Sequence, residues 1–274
     1  MIPLTCKSQT LSSVNKTTDI FTIPTDMTEI IICGSSSQGN GYLLKSGNEI
    51  LVLELGCKFI DYVDALKEDF KTVVGCVVTH RHIDHLNPST AKEFIRRGVD
   101  VYVGEDVYFD TMNTTEFAVM GILWLQNNFK NKVGGFIIQT FKAPHNVANY
   151  GFLITTPTKE RIVFLTDTTG VPLRFKDVNC IMVECNHDDD TLLDNLDRHD
   201  VSMSHPEFHL GLNECKEFCR QNISTSTKQV ILIHLSHANI NEEYAKQTVR
   251  KYTNFPNVSV AHKGYGYNID NDDF

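Results

Sequence analysis

Short runs of β-branched and other apolar residues recur along the chain with turn residues between them. Each predicts a strand: Glu29 to Cys33, Glu49 to Glu54, Val73 to Thr79, Gly135 to Phe141, Gly151 to Thr156, Arg161 to Thr166, Cys180 to Glu184 and Gln229 to Ile233. Four other segments, Phe59 to Phe70, Thr90 to Gly98, Leu212 to Gln221 and Asn241 to Tyr252, space apolar residues three or four apart with charges between. That is the period of a helix with one buried face. Strand runs crossed by helices, then repeated after the middle of the chain, predict an α/β fold of sheets covered by helices. The segment Phe117 to Phe129 is apolar almost all round and holds the single tryptophan, Trp124. Two readings of it stay open, a core helix and a subunit interface.

The length of 274 residues suits one large domain over 1–274, and no repeat, low-complexity linker or shift in composition divides it. The first 25 or so residues, rich in Ser and Thr, are the least constrained, and the acidic end from Asp270 to Phe274 reads as a frayed tail. No stretch approaches the roughly 18 apolar residues of a membrane span, and no basic region followed by an apolar run opens the chain, so a cytoplasmic protein is expected. The eight cysteines include no CxxC pair, and several sit in strand-like apolar runs, which predicts reduced, buried thiols. A formal charge of −9 argues against a broad electropositive groove for long nucleic acid and favours a small substrate. A local basic patch would reverse that inference.

Candidate chemistry concentrates where the strand Val73 to Thr79 runs into His80-Arg81-His82-Ile83-Asp84-His85. In extended chain, alternate residues point the same way, so His80 and His82 can converge on one ion. Where the chain turns towards a helix at Asn87 to Ser89, Asp84 and His85 swing towards a neighbouring point. Imidazole nitrogens and a carboxylate are ligands that a borderline metal such as zinc accepts. Further candidates lie at later strand ends: His145 after Gly135 to Phe141, Asp167 after Ile162 to Thr166, and His234 after Val230 to Ile233. Seven ligands serve two ions, His80, His82 and His145 on one, Asp84, His85 and His234 on the other, and Asp167 bridging.

This ordered set, HxHxDH, a His, an Asp and a final His, resembles the metallo-β-lactamase superfamily over roughly Ile31 to His237. The resemblance implies an αββα four-layer sandwich. More narrowly the chain is similar to the branch holding the WalJ/YycJ-type nucleases, the tRNase Z enzymes and the phage anti-Pycsar phosphodiesterases. Gly34-Ser35-Ser36-Ser37-Gln38-Gly39-Asn40, Val183-Glu184-Cys185-Asn186-His187-Asp188 and His234-Leu235-Ser236 carry that similarity. Glu54 stands where the superfamily usually has an Asp that supports the site without touching metal, a departure that bears on loop positioning. The resemblance implies two Zn2+ ions, with Mn2+ an alternative, and a dual role for Asp84 in binding metal and orienting or deprotonating the attacking water. It also implies Glu184 and His209 as a carboxylate–imidazole pair that protonates a leaving group. His205, close by, competes with His209 for that assignment.

Other features are weighed against plainer roles. His187 with Asp188, Asp189 and Asp190 reads as a solvated acidic turn rather than a third metal site. His237 and Asn239 either touch a substrate phosphate or cap the helix starting near Asn241. His262, Lys263 and Gly264-Tyr265-Gly266-Tyr267 read as packing of a terminal strand, with base stacking the alternative. tRNA processing is disfavoured, because those enzymes carry a long insertion between the third-motif His and the bridging Asp, where His145 and Asp167 leave room for a hairpin. The resemblance leaves two substrates. The first is small cyclic nucleotides such as cyclic CMP and cyclic UMP, destroyed as immune signals by the phage enzymes in the host cytoplasm. The second is DNA, as for a WalJ-like exonuclease. It also implies a homodimer, with Phe117 to Phe129 as the expected contact.

Overall fold

The computed structural model describes residues 27–67, 70–112, 121–197 and 206–269. The first half of the chain runs β1 (Thr28–Ser36), β2 (Gly39–Ser46), β3 (Glu49–Leu53), α1 (Phe59–Leu66), β4 (Val73–Val78), α2 (Pro88–Arg96), β5 (Val101–Gly104), α3 (Glu105–Met112) and β6 (Leu123–Leu125). The second half runs β7 (Asn131–Val133), β8 (Phe136–Lys142), β9 (Tyr150–Thr155), β10 (Arg161–Leu165), β11 (Cys180–Glu184), α4 (Asp189–Asp197), α5 (Leu212–Asn222), β12 (Gln229–Ile233), α6 (Glu242–Thr253), β13 (Val258–Val260) and β14 (Gly266–Asn268). One sheet has the order β14-β1-β2-β3-β4-β5-β6 and the other β13-β12-β11-β10-β9-β8-β7. Helices α1, α2 and α3 pack on the first sheet and α5 and α6 on the second, which makes the four-layer α/β sandwich.

The central strands of the second sheet are apolar on both faces because both are covered. Alternate residues split between two cores. Ile162 and Phe164, Cys180 and Met182, and Ile231 and Ile233 face the space between the sheets. Val163 and Leu165, Ile181 and Val183, and Val230 and Leu232 face α5 and α6. Between the sheets, Tyr42 of β2 meets Phe164 of β10 edge-on at 5.4 Å. Each such buried side chain contributes roughly 1.5–3 kcal/mol. The carboxyl ends of β4, β10, β11 and β12 all open on one rim.

The eight strands and the four helices expected from their periodicity form, with their ends moved by a few residues. The helix from Phe59 stops at Leu66 because Lys67 adopts a left-handed conformation (φ 47°). Strands β2, β5, β7 and β13 and helix α3 were not expected. β2 reads Gly-Asn-Gly-Tyr-Leu-Leu-Lys-Ser, and its glycines mask the strand signal.

The core-helix reading of Phe117 to Phe129 is overturned over its described part. Leu123–Leu125 is an edge strand paired in parallel with β5, Trp124 is 47% exposed and Phe129 is 62% exposed. A short apolar run carries no period that separates strand from helix. Residues 113–120 lie outside the described residues, as do 1–26, 270–274, Cys6 and His205. The acidic run after His187 is also corrected: it opens α4, with Asp188 Oδ2 accepting from Thr191 N (3.3 Å) and Thr191 Oγ1 (3.1 Å). The terminal run does pack as a strand, β14 pairing antiparallel with β1. The seven described cysteines are unpaired and buried. Among the described residues no helix is long and apolar enough to cross a membrane.

Candidate metal centre

Strand β4 delivers its last residues into a loop held from both sides. Asn87 caps α2, its Oδ1 accepting from Ser89 N (3.0 Å) and Thr90 N (3.4 Å), and Pro88 occupies the first helical position. From the other side the turn after β3 grips the loop, with Leu55 N donating to His85 O (2.7 Å) and Asn87 N to Leu55 O (3.0 Å). This approach requires Gly56, since a Cβ there would sit 1.6 Å from Asp84 O.

The loop and the opposite strand ends bring the seven expected ligands together. His80 Nε2 lies 3.0 Å from His82 Nδ1, which lies 3.3 Å from His145 Nε2. His145 Nδ1 donates to Phe208 O (3.0 Å), so its Nε2 is left as a lone pair facing the other two rings. Asp84 Oδ2 is 3.4 Å from both His85 Nε2 and His234 Nε2, and Asp167 Oδ2 is 3.0 Å from His85 Nε2. Four ligand groups emerge among the described residues: His80, His82 and His145; Asp84, His85 and His234; His80, His85 and Asp167; and Asp167, Glu184, His209 and His234. Within each, the donor atoms lie within 4.8 Å of one another. Imidazole nitrogens gathered with carboxylate oxygens at these distances suit a divalent ion.

Glu184 and His209 join the same rim. His209 Nδ1 donates to Glu184 Oε1 (2.6 Å), which also receives His234 Nδ1 (3.1 Å). Glu184 Oε2 accepts from Thr168 N (3.2 Å) and Leu210 N (3.0 Å). A cavity of about 90 Å³ opens here, lined by Ser37, His82, Asp84, Asp167, Asn186, His209, His234, Leu235 and Ser236.

Electrostatics divide the histidines. Burial holds His80 well below the ordinary histidine range, with His85 adding to it, and burial with His145 lowers His82. Burial also disfavours charge on His85 and His234, but Asp167 and Asp84 outweigh it, and His234 is pushed up to about 10. For His209, the Glu184 hydrogen bond outweighs burial and raises it. Burial opposes ionisation of Asp167, yet His234 and His85 hold it well below the usual carboxylate range.

Glu54 is fully buried at the end of β3 in a left-handed conformation (φ 63°). Its Oε1 accepts from Thr79 N (3.2 Å), and its Oε2 lies 3.3 Å from His85 Nδ1. The longer side chain therefore reaches a ligand's far nitrogen, a supporting position. Other groups at the site carry no metal-ligand pattern of their own. Thr166 Oγ1 donates to Asp167 Oδ2 (2.6 Å), Thr79 Oγ1 lies 2.9 Å from His80 Nδ1, and Asn186 Nδ2 donates to His234 O (3.1 Å). Their signal is adjacency to a ligand at a strand end.

Several weighed residues stand apart. His187 belongs to none of the ligand groups among the described residues and lies 3.7 Å from Asp189. His237 is 77% exposed at its side chain, 3.9 Å from Glu242. Asn239 is buried and accepts from Asn195, while Asn241 itself caps α6. Between His145 and Asp167 the chain forms only the β9–β10 hairpin, as its spacing implied.

A family model described as "Beta-lactamase superfamily domain" matches residues 61–235. No curated protein matches the chain. Solved structures share its fold at low identity. The metallo-β-lactamase fold protein YhfI from Bacillus subtilis is 15% identical with a TM-score of 0.64, covering 88% of this chain and 99% of its own. A diphosphatase from the PhnP family is 14% identical with a TM-score of 0.61, covering 88% and 97%. The short form of human tRNase Z is 13% identical with a TM-score of 0.57, covering 88% and 99%.

Proposed function

Since the chain belongs to the metallo-β-lactamase superfamily, we propose that it is a metal-dependent phosphodiesterase using two divalent ions, zinc or alternatively manganese. We further assign small cyclic nucleotides such as cyclic CMP and cyclic UMP as its substrates. The observation that carries phosphodiester chemistry is the 2.6 Å pair of Glu184 and His209 beside the ligand groups. An alkoxide leaving group needs a proton. A buried carboxylate that keeps an imidazole charged supplies one.

Bound ions would supply Lewis acidity at the phosphoryl oxygens and a nucleophile at neutral pH. His80, His82 and His145 would hold one, Asp84, His85 and His234 the other, with Asp167 between them. Asp84 orients and deprotonates the attacking water. Glu184 fixes His209 through Nδ1, which leaves Nε2 to protonate the departing oxygen.

Substrate size is read from the charge of −9 and the short hairpin between His145 and Asp167. Two structural neighbours are a tRNase and a diphosphatase by name, which supports a phosphoester here. The test incubates the zinc-reconstituted protein with cyclic CMP, cyclic UMP, cyclic AMP and single-stranded DNA and resolves the products. Linear nucleotides from the cyclic substrates are expected. Degraded DNA ends beside intact cyclic nucleotides would replace this reading with an exonuclease.

A further inference from the structure

The hairpin of β1 and β2, with its glycine–serine run, lies against the site without supplying a ligand. One hydrogen bond reaches it from the second sheet, and the others continue along the first. His234 N donates to Ser35 Oγ (2.9 Å). Ser35 Oγ lies 2.9 Å from Tyr42 Oη, and Tyr42 Oη donates to Asn40 Oδ1 (3.3 Å). Each hydroxyl owns one hydrogen, so the Tyr42 proton on Asn40 makes Ser35 the donor to Tyr42. Asn40 then closes on the loop after β4 of the same sheet: its backbone N donates to Asp84 O (2.8 Å), and its Nδ2 donates to Asp84 O (3.2 Å) and lies 3.1 Å from His85 Nε2.

The endpoints are the three residues assigned above to one ion: His234, Asp84 and His85. None of the relay's contacts reaches His80, His82 or His145. Its anchor is also a backbone that needs holding, because His234 is left-handed (φ 54°), a conformation that a residue with a Cβ adopts only when its surroundings impose it. Tyr42 is suited to the middle of the relay. It is buried with its ring against Phe164, and burial pushes its phenol well up, so the hydroxyl stays a neutral donor.

We propose that Ser35, Tyr42 and Asn40 form a positioning relay that locks His234 of the second sheet to the Asp84–His85 loop of the first and thereby sets the affinity of one metal position selectively. The inference rests on the two-ion reading above, and on no substrate assignment. Outer partners of metal ligands change affinity by about 10- to 100-fold when removed. Tyr42→Phe and Ser35→Ala each break the relay at one oxygen, and Ser35→Thr keeps the hydroxyl.

Calorimetric titration of the metal-free proteins with Zn2+ measures both binding steps, and thermal melts of the same metal-free samples check the fold. Expected are two steps in the wild type, about 10- to 100-fold weakening of one step in Tyr42→Phe and Ser35→Ala, an unchanged other step, and recovery in Ser35→Thr. Equal weakening of both steps, or none, in variants that melt like the wild type overturns the relay and leaves the two-ion reading standing. A wild type without two steps overturns the two-ion reading and the relay with it. If Ser35→Ala fails to fold, Tyr42→Phe with Ser35→Thr decides the same question.

Discussion

Two rims join the sheets, and they are polar in opposite ways. At the rim away from the site, Glu160 Oε2 accepts the hydroxyls of Thr28 (2.8 Å), Thr156 (2.5 Å) and Thr158, and Ser46 Oγ sits 2.5 Å from Thr158 Oγ1. Every donor there has an acceptor within the cluster. At the site rim, imidazole nitrogens crowd together at 3.0 and 3.3 Å, and Glu54, Asp167 and His234 are held left-handed at φ 63°, 52° and 54°. One rim closes on itself and fastens the fold. The other gathers imidazoles and carboxylates in forced positions, an arrangement compatible with bound cations.

The sharpest way to break this contrast is at Asp167, which meets both the His85 side of the site and the His209 pair. Asp167→Ala is expected to lower kcat/KM by about 10³-fold or more, since several kcal/mol of charge stabilisation depends on the ions it helps to hold. The stability of the metal-free protein in melts should also fall, by about 3 kcal/mol or more, because Asp167 is the buried countercharge of His85 and His234. Near wild-type turnover in metal-replete buffer would remove Asp167 from the centre.

His209→Ala separates the ions from the proton. On the two-ion proposal, the metal content by elemental analysis should match the wild type, while kcat falls about 10²- to 10⁴-fold on a substrate whose leaving group needs protonation. A p-nitrophenyl phosphodiester, whose leaving group departs without help, should lose much less. Equal losses on both substrates would assign His209 a structural role.

How far this rim was legible in sequence follows from distance along the chain. His80, His82, Asp84 and His85 fall within six residues, and a strand followed by a capped helix fixes how they splay. His145, Asp167 and His234 were reachable because each ends an apolar run. Ser35, Tyr42, Thr79 and Thr166 were not read as parts of the site, since a hydroxyl's partner is set by how the sheets stack and by no local period. The strands missed, β2 and β5 among them, are glycine-bearing or short. The core-helix reading around Trp124 fails because three consecutive apolar residues fit strand and helix alike.

Gly56 tests the grip that shapes the legible part of the rim. Gly56→Ala places a Cβ 1.6 Å from Asp84 O, so either the loop or the turn after β3 must move. We expect destabilisation of about 3 kcal/mol in urea unfolding, the upper end for overpacking, together with weakened metal binding. A stable variant with wild-type metal affinity would show that the turn does not position the loop.

The smallest effect is expected at the closed rim, and its sign is fixed by Glu160. Burial opposes ionisation of this carboxylate, but hydrogen bonds from Thr156, Thr158 and Thr28 prevail and hold its pKa below the ordinary glutamate value of 4.5. A group depressed on folding stabilises the protein fully above its unfolded pKa, and that contribution is lost as pH falls through the folded value. Glu160→Gln should therefore cost on the order of 1 kcal/mol at neutral pH, discounted for partial exposure. The difference from wild type should shrink below pH 4.5 in melts taken across that range. Turnover at neutral pH should be unchanged, because the cluster lies at the opposite ends of β1, β2, β9 and β10 from the ligands. A Glu160→Gln variant that folds normally but loses metal would show that the two rims are coupled through the sheets, and the division between a fastening rim and a reacting one would fail.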